Sequence, residues 1–190
     1  MSEHRRIIVA LSGASGPHYG VRLLEVLSGI DAVETHAIIS TGALHTIAFE
    51  LDREPASVLA LADVVHDEHN LAAPIASGTF VTGGMAIAPC SIKTLAAVAN
   101  SANDNLIARA ADVCLKERRR LVLAVRETPL HAGHLRLMLR ASEIGAVIMP
   151  PVPAFYHRPS SIGEVIDHTV TKILDQFGID AGLISRWEGL

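Results

Sequence analysis

Short apolar runs alternate with segments of helical periodicity along almost the whole chain, and this alternation restricts the fold more than any other feature. The runs are nearly continuously apolar, as is typical of parallel strands that are covered on both faces. Repeated strand–helix–strand units predict a doubly wound three-layer α/β sandwich around a parallel sheet. The predicted strands are 5–11, 34–40, 85–90, 120–126 and 145–150, with a weaker run, DVVH, near Val64.

The predicted helices lie between these runs and after the last one. They cover residues near 17–28, 42–51, 55–63, 91–99, 104–117, 131–144 and 161–177, and leave 66–84 and 149–159 irregular. A chain of 190 residues that is 49% apolar and 19% charged predicts one globular domain spanning 1–190.

The composition also bears on partners and compartment. A formal net charge of −4 is unfavourable for broad binding to nucleic acid or to a membrane, although a local basic pocket remains compatible with it. The two cysteines, Cys90 and Cys114, form no CxxC pair and are interpreted as buried thiols of a cytoplasmic protein. The opening MSEHRR and its short apolar continuation resemble neither a signal peptide nor a membrane span.

Ligands of open parallel sheets bind beyond the carboxyl ends of the strands, so the residues that follow each strand matter most. In this chain they read SGASG, STG, PCSIKT, RETP and PPVPAFY. Most of them are small, hydroxylic or charged. That chemistry favours a ligand that carries a phosphate.

The first of these turns contains Gly13, Gly16 and Gly20, with Ser15 between them. The spacing matches neither the dinucleotide fingerprint GxGxxG nor a Walker A motif. Glycines allow close backbone approach, and Pro17 suits the first position of a helix whose free amides favour an anion. Taken alone, the segment fits a plain turn and a phosphate site equally well.

Two further segments have a structural and a functional interpretation. Ser91 and Thr94 lie in the first turn of a predicted helix, where hydroxyls cap the helix or bind oxyanions. Arg109 and Lys116 are seven residues apart on one helix face, which is typical of a solvated charged face but also able to clamp a phosphate.

The segment RETPLHAGH places Arg126 beside Glu127 at a strand end, a pair that can bind phosphate and move a proton. His131 and His134 are spaced as a metal pair would be, but neither HExxH nor a carboxylate third ligand accompanies them. They are therefore interpreted as surface or capping residues, and no metal site is predicted. The nucleophile elbow GxSxG of hydrolases is absent.

Taken together, these segments resemble the UbiX flavin prenyltransferase family over nearly the whole chain, from SGASG to ILDQF. The blocks PCSIKTL, RAADVCLKERRRLVL, RETPL, GHLRLM and EIGAVIMPPVPAFYHRP occur in the family order. The resemblance implies a Rossmann-like fold that binds FMN. It implies metal-independent transfer of a dimethylallyl group from dimethylallyl monophosphate to N5 and C6 of reduced FMN.

The product implied by the resemblance is prenylated FMN, the cofactor of UbiD-type decarboxylases. The resemblance also implies a homo-oligomer, usually a dodecamer, with sites shared between subunits. A mean hydropathy of +0.35 and the tail LISRWEGL, which carries the only Trp, are compatible with such contacts. Ubiquinone synthesis and aromatic-acid decarboxylation are both open as the pathway served.

The resemblance also assigns roles to residues of this chain, position by position. The catalytic candidates are Ser15, Glu50 and Glu127. The residues matched to prenyl-phosphate binding are Tyr156 and Lys172, with Arg109 and Lys116 extending the cationic pocket. The FMN-binding candidates are Ala14, Ser15, Gly16, Ser40, Ser91, Ile92, Lys93, Thr94 and Arg126.

The chain departs from the family pattern at a few positions. Lys172 stands where many relatives have Arg, and Lys keeps the charge but lacks the bidentate fork. Pro17 stands where Ala is common. Two other functions stay open: an FMN-dependent decarboxylase of the same superfamily, whose PASANT loop is absent here, and an accessory flavin carrier for an aromatic-acid decarboxylase.

Overall fold

The computed structural model describes residues 5–187 and 189, which fold around one parallel six-stranded sheet. The strands lie in the order β3-β2-β1-β4-β5-β6, so the direction of winding reverses between β1 and β4. This confirms the predicted doubly wound α/β fold. The strands are β1 (Arg5–Leu11), β2 (Val33–Ile39), β3 (Val64–His66), β4 (Gly84–Cys90), β5 (Arg120–Val125) and β6 (Val147–Ile148).

Helices cover both faces of the sheet and complete the three layers. One apolar core joins the sheet to α1, α2, α3 and α7, and a second joins it to α4, α5 and α6. The helices are α1 (His18–Leu27), α2 (Thr41–Leu51), α3 (Pro55–Leu59), α4 (Ile92–Ala99), α5 (Leu106–Lys116), α6 (Ala132–Glu143) and α7 (Ile162–Asp175), with a 3₁₀ turn at Pro74–Ala76.

The strand β1 shows why continuous apolar runs form this sheet. Ile7, Val9 and Leu11 belong to the first core, whereas Ile8 and Ala10 belong to the second. Successive side chains of a strand point to opposite faces, so both sets must be apolar when both faces are covered. All five are buried.

Gly20 allows α1 to lie directly on the sheet beside the carboxyl end of β4. A Cβ at this position would lie 2.0 Å from the carbonyl oxygen of Ala88 and 2.5 Å from Cγ of Leu11. Only a residue without a side chain fits. This close approach holds the first strand-to-helix turn against the end of β4.

Two predicted elements are shorter than expected. The last strand was predicted over 145–150 but pairs only through Val147 and Ile148, since Gly145 has φ +111° and Pro150 and Pro151 lack N–H donors. The third helix was predicted over 55–63 and ends at Leu59. The carboxylate of Asp63 accepts hydrogen bonds from the backbone N–H and the hydroxyl of Thr35 on β2, which draws this segment into the approach to β3.

The other boundaries agree with the sequence to within two residues. Ser40, predicted as the end of a strand, instead caps α2. Both cysteines are free and buried. None of the helices in the described part of the chain has the length and apolar character that crossing a bilayer requires.

Candidate active site

A cavity of about 700 Å³ lies beyond the carboxyl ends of the strands, where the winding reverses between β1 and β4. Open α/β sheets bind ligands at such a switch point. Residues that follow each of the first five strands line it: Ser12 and Gly13, Ser40–Gly42, Glu68 and His69, Ser91–Thr94, and Glu127. The rest of the lining is Ala97, Ala102, Asp104, Asn105, Ile107 and Ala108.

The buried hydroxyl of Ser12 joins two of these turns. It donates a hydrogen bond to the carbonyl oxygen of Pro89 at 3.0 Å and accepts one from the backbone N–H of Ser91 at 2.8 Å. The backbone N–H of Ser12 reaches the same Pro89 carbonyl at 3.1 Å. The turn after β1 is thereby fixed to the start of α4.

The turns after β1 and β2 meet through two glycines. A Cβ on Gly13 would lie 3.1 Å from Cα of Gly42, and the reverse contact is equally close. Side chains at either position would push the two turns apart. The backbone of both turns is therefore available to a ligand.

Three helices begin at the cavity, each capped by its own polar side chain. Ser40 accepts from the backbone N–H of Ala43 at 3.2 Å, Ser91 from that of Thr94 at 3.3 Å, and Asn105 from that of Ala108 at 3.0 Å. Capping leaves other first-turn N–H groups free, and the helix dipoles add positive potential. The cavity therefore favours an anionic group such as a phosphate.

The carboxylate of Glu68 already interacts with the positive end of one of these helices. Oε1 of Glu68 accepts hydrogen bonds from the backbone N–H of Thr41 at 2.6 Å and from its hydroxyl at 2.7 Å. Glu68 therefore sits on the first turn of α2, inside the cavity. Its negative charge balances the positive end of that helix.

Ser15 and Gly16 are held by Glu50 from the last turn of α2. Oε2 of Glu50 accepts from the Ser15 hydroxyl at 3.1 Å and from the Gly16 backbone N–H at 2.9 Å. The Gly16 backbone has φ +88°, which favours glycine. The structure thus brings two catalytic candidates, Ser15 and Glu50, into direct contact, while Ala14 lies between Gly13 and Ser15 on the same turn.

Arg126 and Glu127 follow β5 but do not pair with each other. The backbone N–H of Arg126 donates to the Cys90 carbonyl at 3.0 Å, and its positive charge opposes the rise in the pKa of Tyr19 that burial causes. Glu127 lines the cavity, and its Oε1 accepts from the Thr128 backbone N–H at 2.9 Å. No ion pair within residues 5–187 joins the two side chains.

Arg109 and Lys116 lie outside this cavity, in a separate depression of about 390 Å³. Arg109 donates to the carbonyl of Ala76 at 3.1 Å and forms an ion pair with Asp112 at 3.2 Å. Lys116 forms an ion pair with Glu117. Both cations belong to α5, on the second face of the sheet.

Tyr156 and Lys172 lie on the opposite side, with α7. The hydroxyl of Tyr156 is 2.8 Å from Nε2 of His168, and Lys172 forms an ion pair with Asp175 at 3.5 Å. A single chain therefore does not unite the four residues predicted to bind the prenyl phosphate.

The histidine pair lies at the start of α6. Nδ1 of His131 accepts from the backbone N–H of Gly133 at 3.0 Å and caps the helix, and the His134 ring packs 3.6 Å from the His131 ring. Among residues 5–187 and 189, no group of three or more His, Cys, Asp or Glu side chains is arranged to hold a metal ion.

Both thiols are buried. Burial raises the pKa of Cys90 and that of Cys114 to about 12, so both stay protonated at neutral pH. The thiolate, not the thiol, is the nucleophile in cysteine chemistry. Cys90 borders the cavity turn but is not suited to attack a substrate.

Several cavity residues were not predicted individually from the sequence: Ser12, Thr41, Gly42, Glu68 and Asn105. The first three lie in the SGASG and STG segments, but only their neighbours were selected. Glu68 follows β3, the weakest predicted strand. Applying the strand-end rule to β3 as well would have found it.

Comparison with known proteins places the chain in a family. The Flavoprotein family model matches residues 1–174. The flavin prenyltransferase UbiX of Escherichia coli strain K12 is 59% identical over 187 residues, which are 97% of this chain and 99% of that protein.

Two crystal structures share the fold throughout. AnUbiX in complex with FMN and dimethylallyl pyrophosphate has a TM-score of 0.97 at 50% identity, covering 99% of this chain and 100% of the other. A dodecameric FMN-dependent UbiX-like decarboxylase from Escherichia coli O157:H7 has a TM-score of 0.95 at 44% identity, covering 97% and 100%. The chain belongs to the UbiX flavin prenyltransferase family.

Proposed function

We propose that this protein transfers a dimethylallyl group from dimethylallyl monophosphate to N5 and C6 of reduced FMN and releases prenylated FMN. The observation that carries the proposal is the cavity at the β1/β4 switch point, where three helices begin in a chain 59% identical to a UbiX flavin prenyltransferase. The donor bound to AnUbiX is the pyrophosphate, so both phosphates belong in the assay.

FMN fits the cavity by size and by chemistry. Small-molecule sites commonly measure about 300–1,000 Å³. Hydroxyls and free amides suit the ribityl phosphate, and Ile92 and Ile107 suit the flat ring. The proposed FMN-binding residues are those predicted from the sequence: Ala14, Ser15, Gly16, Ser40, Ser91, Ile92, Lys93, Thr94 and Arg126. We propose that the phosphate lies between the GASG and CSIKT turns.

Ser15 and the carboxylates of Glu50 and Glu127 transfer the protons that the reaction moves. Reduced FMN supplies the nucleophilic N5 and C6 positions. We assign Ser15, whose hydroxyl donates to Glu50, to the proton that leaves N5. Glu127 protonates the departing phosphate or joins that relay. The alternative, that Glu127 only orients Arg126 through a salt bridge, receives no support from the geometry of the described chain.

The leaving phosphate is stabilised by fixed cations, so we propose that turnover requires no metal. Positive groups aimed at developing negative charge lower the barrier to breaking an allylic C–O bond. The proposed donor-binding residues are Arg109, Lys116, Lys172 and Tyr156. Lys172 is half exposed and leaves its charge accessible beyond its ion pair with Asp175.

The two pairs of donor-binding residues lie on opposite faces of the sheet, so we propose a homo-oligomer, a dodecamer, with sites shared between copies. Large apolar side chains are exposed in the single chain: Phe49 is 91% exposed, Phe155 70% and Ile162 79%. Trp187 of the predicted contact tail is 60% exposed, and residues 188 and 190 lie outside the described chain. One structural relative is a dodecamer.

We propose that the product serves a UbiD-type decarboxylase and that the protein works in the cytoplasm. The resemblance supports the first statement. The two free buried thiols support the second.

An FMN-dependent decarboxylase is the second candidate, since one structural relative carries that description. The protonated, buried state of Cys90 and Cys114 argues against the cysteine-dependent kind. A flavin carrier would bind FMN without turning over the prenyl donor. Both alternatives predict an unmodified flavin in the assay that follows.

Incubating the protein with reduced FMN and dimethylallyl monophosphate, in the presence of a chelator, is expected to yield prenylated FMN. Mass spectrometry of the extracted flavin should show the mass of FMN increased by one five-carbon unit. A parallel incubation with the pyrophosphate tests donor choice. Unmodified flavin with both donors would contradict the proposed function, and activity only after a divalent ion is added would contradict metal independence.

Ser91→Asp is expected to lower FMN affinity by at least about tenfold while leaving the fold intact. Aspartate caps a helix as well as serine does but places a negative charge beside the proposed phosphate position. Ser91→Asn, an equally good but neutral cap, is the matched control. Calorimetric titration with FMN and with riboflavin checks the reason, because an equal loss for both flavins would contradict the phosphate placement.

Glu127→Gln is expected to bind FMN and donor normally and to lose turnover by about 10²–10⁴-fold, the range for a general acid or base. Rates come from the prenylation assay and affinities from calorimetry. Glu143→Gln, an exposed carboxylate at the end of α6, is the control. Prenylation by the Glu127 variant at close to the parent rate would show that the catalytic assignment is wrong.

Light scattering is expected to report an assembly of about twelve chains of 20.2 kDa each. Phe49→Asp should reduce that mass, because a charge would replace an exposed apolar side chain at the contact. An active monomer at micromolar concentration would contradict the shared site.

A further inference from the structure

A cluster of aromatic and histidine rings surrounds Tyr156, outside the cavity at the β1/β4 switch point. Nε2 of His168 is 2.8 Å from the Tyr156 hydroxyl, and the two rings meet edge to face at 5.7 Å. His157 stacks on His168 at 4.9 Å with an interplanar angle of 4°. Tyr156 and His157 belong to the proline-rich segment after β6, whereas His168 is buried on α7.

Stacking on His157 fixes the plane of the His168 ring. Both ring nitrogens of His157 are buried and have no hydrogen-bond partner within the described chain, so His157 acts here through its ring face. A fixed ring plane fixes the direction of the bond to Tyr156. Lys172 lies one helical turn after His168, on the same side of α7.

The number of available hydrogens limits the groups to which Tyr156 and His168 can donate. A phenolic hydroxyl has one hydrogen to donate, and a neutral imidazole donates from one nitrogen and accepts at the other. If Tyr156 donates to His168, it has no hydrogen left for a phosphate. If His168 donates from Nε2, the phenolic hydrogen is free for a ligand.

The surroundings favour a neutral His168 ring. The pKa of His168 is lowered, first by burial and then by the neighbouring His157 and Lys172. A neutral ring can hold Tyr156 without adding a charge beside Lys172. It therefore positions one group without repelling the next.

We propose that His168 is a positioning residue that donates its Nε2 hydrogen to the Tyr156 oxygen and thereby directs the phenolic hydrogen to the phosphate of the prenyl donor. This rests on the proposed function, because it takes Tyr156 as a ligand of dimethylallyl monophosphate. His168 does not touch the donor. It acts through Tyr156, and it has no role in binding FMN.

A purely structural role makes a different prediction. If His168 only linked the proline-rich segment to α7, replacing it would lower stability and weaken the binding of both FMN and the donor. The positioning role affects donor binding alone and disappears when Tyr156 has no hydroxyl. A different side chain with an N–H group at a similar distance from Tyr156 should restore binding of the prenyl donor.

The test is calorimetric titration of dimethylallyl monophosphate into the protein loaded with oxidised FMN, where binding is measured without turnover. His168→Leu is expected to weaken donor binding by about three- to tenfold, the effect of one neutral hydrogen bond. FMN affinity should stay within about twofold. His168→Gln, whose amide can donate to Tyr156, should bind the donor like the parent.

Two controls separate the interpretations. Thr169→Val removes the neighbouring hydroxyl on α7, which donates only to the Val165 carbonyl, and should leave donor binding unchanged. In a Tyr156→Phe background, His168→Leu should add less than a twofold effect, because the two residues act as one unit. Should the leucine variant not fold, His168→Asn provides a polar side chain too short to reach Tyr156.

The outcomes are distinguishable. Unchanged donor affinity in His168→Leu, an equal loss in the Tyr156→Phe background, or a failure of glutamine to restore binding would each overturn the role of His168. A parent protein that binds FMN but neither binds nor uses the donor would overturn the proposed function and this inference with it. Loss of donor binding alone in His168→Leu, together with its recovery in His168→Gln, supports the role of His168.

Discussion

The hydrogen bonds of one buried serine hold the candidate site in its shape. Ser12 follows the first strand directly, and its hydroxyl links the carbonyl of Pro89 to the N–H of Ser91. A buried hydroxyl with both a donor and an acceptor partner contributes stability that an unpaired one would lose. Because those partners lie at the end of β4 and the start of α4, this contact sets the distance between the two turns that flank the switch point.

The glycine contacts continue the same constraint. Gly20 lets α1 reach the sheet, and the Gly13–Gly42 approach draws the turn after β2 against the turn after β1. The three capped helix ends then converge on one volume, and small residues keep it open. Glu50, on the last turn of α2, also holds the turn after β1 through Ser15 and Gly16. The anion-favouring character of the cavity is therefore a consequence of backbone packing more than of charged side chains.

The layered fold was predictable from the sequence because each physical signal is local. Continuous apolar runs such as that of β1 occur when both faces are covered, and the strand-end rule then identifies the PCSIKT and RETP turns. The edge strand β6 was overestimated, since apolar character persists through Gly145 and Pro150 although neither can continue a ladder. The position of Glu68 and the hydrogen bonds of Ser12 depend on contacts between segments that are far apart in the sequence. Hydrophobic periodicity carries no information about such contacts.

The positions of the four donor-binding candidates follow from the same doubly wound topology. Arg109 and Lys116 belong to α5 on one face of the sheet, and Lys172 belongs to α7 on the other. In a single chain the sheet therefore separates the two groups. Phe155 and Ile162, both strongly exposed, flank Tyr156 along the chain. Apolar side chains are thus exposed on the segment that carries Tyr156. In one chain, therefore, the four donor-binding candidates lie in two separate places, and none of the four lines the cavity at the β1/β4 switch point.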